Sequence, residues 1–205
     1  MYRLYGFPGT SSMAPHAVLE EIGAAYEVVP VDIRKPRDPA YLRLNPTGQV
    51  PTLVDDGTVV YEAAAIVMYL VDRHPDCGLA PALGDPLRGM YYQWLLYMAA
   101  TLQPAFKMHY YPERFTTDPG DEPKVQANVA GRLDDIWTKI DNALAAGPYV
   151  LGQRFSACDI YLQMLTTWRA EPQKPISAYP NVARCAERVS ERPAVARMLK
   201  AHGLA

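Results

Sequence analysis

Hydrophobic positions come in short alternating runs in the first third of the chain and at helical spacing after it. Tyr2-Arg3-Leu4-Tyr5 alternates like a strand and stops at Gly6. Residues 14–22 predict a helix, with Pro15 in the first turn, where a missing N–H costs nothing, and Gly23 behind it. Residues 26–31 read as a second strand, and residues 38–44 as one or two helical turns. The runs 52–55 and 59–60 flank Asp56-Gly57, a dipeptide suited to the tight turn of a hairpin. A helix from about 62 to 73 follows. One crossover and one hairpin in the order β-α-β-α-β-β-α predict a mixed sheet.

Residues 75–86 hold Pro75, Pro81 and Pro86 with Gly78 and Gly84, and beyond them strand signals vanish. The expected boundaries are a first domain at 1–77, a linker at 78–86 and an all-helical domain at 87–205. Leu87, Met90, Tyr91, Trp94, Leu95, Met98 and Leu102 form one helical stripe. Val125, Val129, Leu133, Ile136, Ile140 and Leu144 form another. Ser156-Ala157-Cys158-Asp159 has the spacing of a capping box with Asp in place of Glu, ahead of an apolar face at Ile160, Tyr161, Met164, Leu165 and Trp168. Two short helices finish the chain, the last opening at Pro193.

At 205 residues, 49% hydrophobic and 20% charged, the composition is that of a globular protein. A net charge of −2 without a run of Lys or Arg argues against nucleic-acid or anionic-membrane partners. No stretch approaches 18 uninterrupted apolar residues, so no membrane span is expected. Cys77, Cys158 and Cys185 are odd in number and far apart, which suits reduced thiols in a cytoplasm. His16, His74, His109 and His202 lack metal-ligand spacing, so no metal is expected.

Two stretches carry candidate chemistry. In residues 45–54 a turn-rich Asn-Pro-Thr-Gly-Gln leads through Val50 and Pro51 into an apolar run. A proline there cannot donate to a sheet ladder, which frees the Val50 backbone to pair outside the sheet. Further on, Tyr61-Glu62-Ala63-Ala64 opens a helix with an acid in its first turn.

With Tyr5-Gly6-Phe7-Pro8-Gly9-Thr10-Ser11-Ser12, Pro15-His16-Ala17-Val18, the capping element at 155–159 and the closing Glu191-Arg192-Pro193-Ala194-Val195, these stretches resemble the cytosolic glutathione transferases. The likeness is greatest to the bacterial beta-like branch and covers nearly the whole chain. It implies a thioredoxin-like α/β domain with a four-stranded mixed sheet, followed by an all-α domain. It implies a cytoplasmic homodimer in detoxification, with glutathione as co-substrate and a small hydrophobic electrophile as the second substrate. Isomerase, dehalogenase, lyase or peroxidase chemistry on the same scaffold, or a non-catalytic glutathione-binding protein, stay open as alternatives.

The resemblance also assigns residues. Ser11 stands where beta-class members carry a cysteine, and Ser12 matches the activating serine of serine-type families. One of the two is expected to activate the thiol and the other to cap the helix, with preference for Ser11, nearer the first strand. Val50 and Pro51, joined by a cis bond, would present backbone groups to the cysteinyl part of glutathione. Glu62 and Ala63 would hold the γ-glutamyl end at a helix N-terminus, with Gln49 and Lys35 (beside Arg34) completing the site. Phe7, Phe106, His109 and Tyr110 are the expected electrophile wall. Gln103 occupies the place of a beta-class histidine, which weakens a general base from the helical domain.

Overall fold

The computed structural model describes residues 1–168 and 174–204. The described chain gathers into two compact units. One comprises Met1–Leu83 together with the chain from Val189 onward, and the other is Gly84–Arg188.

In the first unit, β1 (Tyr2–Gly6), β2 (Tyr26–Pro30), β3 (Thr52–Asp55) and β4 (Thr58–Tyr61) form one sheet in the order β2-β1-β3-β4. β1 runs parallel to β2 and antiparallel to β3, and β3 pairs antiparallel with β4, so the sheet is mixed as expected. Asp56 and Gly57, both at positive φ, make the β3–β4 hairpin. α1 (Met13–Ile22) ends at Gly23 in the left-handed region. α2 (Pro39–Leu44) starts on the Asp38 side chain, which accepts from Ala40 N–H. α3 (Ala63–Arg73) follows the hairpin. Leu4, Leu53, Val18, Leu19, Ile66, Val67 and Leu70 form a closed apolar core.

In the second unit, α4 (Leu87–Tyr97) runs through a π-helical turn (Met98–Leu102) into α5 (Gln103–Tyr110). Pro104 explains the turn. It has no N–H for an α-type bond, and the ladder shifts so that Gln103 N–H reaches Met98 C=O. α6 (Glu122–Ala143) buries Val129, Leu133, Ile136 and Ile140, most of its expected stripe. The α4 stripe is less faithful, because Met90 is exposed. α7 (Ala157–Thr166) is buried from Ala157 through Leu165, the mark of a core helix. Its capping box is formed as expected.

α8 (Pro180–Ser190) and α9 (Pro193–Ala201) close the chain. The second domain was expected to run to residue 205; by packing, the chain from Val189 onward gathers with the first unit. α9 packs on α1, burying Ala194, Val195, Met198 and Leu199, and two ion pairs reinforce it. Arg192 Nε lies 2.6 Å from Glu21 Oε1, and Arg197 Nε lies 2.6 Å from Glu20 Oε2. More than 170 residues separate these partners, which hides the pairing from local sequence patterns.

Candidate functional site

The loop between β1 and α1 carries three consecutive hydroxyls with different tasks. The Ser12 Oγ donates to Phe7 C=O at 3.1 Å and accepts from Phe7 N–H at 3.3 Å. The Thr10 hydroxyl donates to the same carbonyl at 2.7 Å and lies 2.9 Å from Ser12 Oγ. Ser12 is therefore tied into its own loop. A Cβ on Gly6 would stand 2.7 Å from Ser12 Cβ, so only glycine admits this closeness. The side-chain cap expected from one serine does not form. Ser12 already has helical φ and ψ, which turns its oxygen away from the next N–H groups.

Ser11 points elsewhere. It is 8% exposed, and its Oγ donates to Val50 C=O at 3.2 Å across 39 residues. The structure thus brings together Ser11 and the Val50–Pro51 turn, whose peptide bond is cis. Val50 N–H donates to nothing among the described residues.

What holds that turn was not read from the sequence. Gln49 C=O accepts from the Tyr41 hydroxyl and from Asn45 Nδ2, and both donors also meet Thr52 Oγ1. Burial raises the Tyr41 pKa, which keeps the phenol a donor. Arg37 fastens the preceding loop, binding Gly48 C=O at 2.7 Å and the carbonyls of Asp32 and Ile33. The polar face of α2 with an arginine just before it is the signal that could have found these supports. Lys35, the residue predicted instead, is exposed and pairs with Asp32 at 3.7 Å. Arg34 binds the same carboxylate and holds its pKa down to about 2. Arg34 also lies 5.0 Å over the Phe7 ring.

At the other helix start, Glu62 is exposed at φ 73°, a left-handed conformation unusual for its residue type. Its side chain caps nothing, which leaves the first N–H groups of α3 as helix-terminal donors. Two helix N-termini, one hydroxyl and one open peptide edge can together hold an anionic peptide.

Residues 1–72 match the family model described as the glutathione S-transferase N-terminal domain, and residues 101–202 that of the C-terminal domain. The chain is 33% identical to glutathione S-transferase GstA of Escherichia coli O157:H7, covering 98% of this chain and 99% of that one. The chain belongs to the glutathione S-transferase family.

Solved relatives include a glutathione transferase homologue from Sulfitobacter with bound glutathione. It has TM-score 0.91 and 29% identity, over 100% of this chain and 99% of that one. A beta-class glutathione S-transferase of Sphingomonas chungbukensis has TM-score 0.86 and 31% identity, over 99% and 100%.

The residues expected at the electrophile wall of this glutathione transferase fold fall in both units. Phe7 is half-buried on the β1–α1 loop. In the helical unit Phe106 is only 1% exposed, packed edge-on to Trp137 and Trp168, and is a core residue rather than a surface for a ligand. Its helical spacing reflected core packing. His109 is 5% exposed with its pKa lowered by burial, and Tyr110 is 41% exposed. Gln103 is held by the Tyr161 hydroxyl at 2.5 Å. Among the described residues no cluster of three or more His, Cys, Asp or Glu could hold a metal, and no helix is long and apolar enough to cross a membrane.

Proposed function

We propose that this family member binds glutathione on the unit containing Met1–Leu83 and adds its thiolate to small hydrophobic electrophiles. The observation that carries the reading is the Ser11 hydroxyl, set at the start of α1 and resting on the Val50 carbonyl. A free thiol titrates near about 8.5, and lowering that by about 2 units takes about 2.7 kcal/mol of preferential anion stabilisation. A hydroxyl donor beside a helix N-terminus is suited to supply it. The Ser11 proton now points at Val50 O. A peptide N–H from the cysteinyl residue of glutathione, donated to Val50 O, competes for that acceptor and turns the hydroxyl toward the sulfur. Val50 N–H then takes the cysteinyl carbonyl, in the manner of a short antiparallel pairing. The α3 N-terminus at Ala63 receives the γ-glutamyl carboxylate and Glu62 its ammonium. Gln49 and Lys35 border the rest of the peptide.

On the glutathione-binding unit, Phe7 is the residue that meets the electrophile. A homodimer fits the exposed Val59 and Tyr61 of β4 and the exposed Met90 and Leu96 of α4, apolar side chains a second copy can cover. Three free cysteines suit a cytoplasmic detoxification enzyme.

The test is calorimetric titration of glutathione and turnover of an aryl halide in wild type, Ser11→Ala and Ser12→Ala. Ser11→Ala is expected to lower kcat/KM about 100-fold, in line with loss of an anion-stabilising donor, at a stability cost of about 1 kcal/mol for its bond to Val50 C=O. Ser12→Ala is expected to keep most turnover and lose about 1.5 kcal/mol of stability. Binding without turnover in wild type makes the chain a binding protein. Turnover that survives Ser11→Ala overturns the serine assignment.

A further inference from the structure

α9 ends in a Schellman motif. Leu204 N–H reaches Leu199 C=O at 2.9 Å, Gly203 N–H reaches Lys200 C=O at 3.1 Å, and Gly203 sits at φ 72°. The motif fixes His202 as the C-cap just past Ala201, and its ring meets His16 of α1. Gly9 N–H, two residues before Ser11, donates to His202 Nδ1 at 3.2 Å. His202 Nε2 lies 3.0 Å from His16 Nδ1, and His16 Nε2 lies 2.9 Å from the Tyr26 hydroxyl. That hydroxyl donates to Glu20, whose other oxygen takes Arg197 Nε at 2.6 Å.

A backbone amide has only a proton to give, and this fixes the sense of every bond that follows. His202 Nδ1 accepts, so a neutral ring carries its proton on Nε2 and donates to His16 Nδ1. His16 in turn carries its proton on Nε2 and donates to Tyr26, which donates to Glu20. The five groups form one ordered relay, with Arg197 balancing the carboxylate at its far end. No other neutral arrangement satisfies each contact.

We propose that His202 is a positioning residue for the thiol-activating loop, holding Gly9 through a one-directional relay of two neutral histidines, Tyr26 and Glu20. The proposal rests on the glutathione reading for its catalytic consequence and on geometry alone for the latch. Gly9 lies at φ 71° and, among the described residues, nothing stands near a Cβ and the side chain that pins its N–H is His202. Neutral rings are consistent with their surroundings. Burial and the neighbouring His16 push His202 down to about 4, and burial lowers His16 against the pull of Glu20. The charged and titratable groups on the elements that meet here are His16, Glu20 and Glu21 of α1, Tyr26 and Glu27 of β2, and Arg192, Arg197 and Lys200 on or beside α9.

The test compares wild type, His202→Phe and His202→Asn; phenylalanine removes the acceptor, whereas the Asn carbonyl supplies one near the Nδ1 position. Amide exchange at Gly9 is expected to quicken about fivefold in His202→Phe and to return close to wild type in His202→Asn. The KM for glutathione should rise and kcat/KM fall about tenfold in His202→Phe, with partial rescue by Asn, because a misplaced loop costs orientation. Unchanged Gly9 exchange in His202→Phe overturns the latch, as does an Asn variant as fast as Phe. Should the Phe variant not fold, imidazole ¹⁵N shifts of wild type decide the matter: both rings must show the Nε2–H tautomer at neutral pH, and Nδ1–H on His202 overturns the relay. If glutathione fails to bind wild type, the functional reading falls while exchange and tautomer still judge the latch.

Discussion

The helical unit and the sheet unit each hold a polar network, buried in the first and part-buried in the second, and the two are built on different plans. In the helical unit Asp159 is a hub. Its carboxylate accepts from Val150 N–H at 2.7 Å, from Ser156 N–H at 2.8 Å and from the Ser156 hydroxyl at 3.1 Å, with the Cys185 thiol at 3.7 Å. In the sheet unit His202, His16 and Tyr26 form a line in which each takes one bond and gives one, ending on the Glu20 carboxylate, which only accepts. The hub gathers the 149–152 turn, the start of α7 and α8 onto one side chain, so its loss is felt by three segments at once. The line delivers its effect to one place, the N–H of Gly9. A hub secures a fold, and a line sets the geometry of a loop.

The most damaging way to break this contrast is Asp159→Ala. Two buried backbone N–H groups then lose their acceptor, at about 1–3 kcal/mol each, so the expected loss is about 4 kcal/mol in urea unfolding. Turnover per folded molecule should hold, because the hub's partners Val150, Ser156 and Cys185 all lie outside the β1–α1 loop. A loss below about 1 kcal/mol would mean that water or a neighbour replaces the carboxylate, and the hub would be no more than a cap.

Gly6→Ala strikes the loop end of the sheet unit. The added methyl meets Ser12 Cβ at 2.7 Å and Oγ at 2.8 Å, and Ser12 cannot retreat without releasing Phe7. An expected cost of about 2 kcal/mol comes with a fall in kcat/KM of about tenfold. The pairing of both losses in one variant, measured by thermal unfolding and by glutathione conjugation, separates the loop from the hub.

The two networks were not equally visible in the chain. Ser156 and Asp159 stand three residues apart, and a capping box is local by construction, so sequence alone announces it. The hairpin at Asp56-Gly57 and the mixed sheet were legible for the same reason, since neighbouring residues decide them. The relay was not legible. His16 and His202 lie 186 positions apart, and each alone reads as a histidine without metal spacing. Only the Gly203 that ends α9 hinted at where His202 would point. The site itself was half visible: Ser11 and Val50 were named, whereas Tyr41 and Arg37, which hold the turn, act through backbone carbonyls and left only the polar face of α2 and the arginine before it as a signal. Phe106 shows the opposite error, in which an aromatic at helical spacing is claimed for a site and belongs to the core.

The subtlest distinction between hub and line is in their titration. Burial raises Asp159 to about 6, although its backbone donors pull the other way, whereas His202 is lowered to about 4. An acid whose folded pKa exceeds its unfolded value takes up protons more readily in the native state, so its contribution to stability declines as pH rises from about 3.8 to about 6. A histidine lowered from 6.5 to about 4 behaves in reverse: the unfolded chain binds the proton first, and stability is lost as pH falls through that window. Between pH 4 and 6 the two slopes oppose each other. Asp159→Asn should therefore leave stability falling more steeply on acidification than in wild type. His202→Phe should tilt the profile the opposite way, by about 1 kcal/mol across the window once solvent screening of a half-open ring is allowed for. Urea unfolding at pH 4.5, 5.5 and 6.5, taken as differences from wild type, removes the common contribution of the other carboxylates. Parallel shifts in both variants would show that the two networks share one electrostatic response, and the division between hub and line would lose its physical basis.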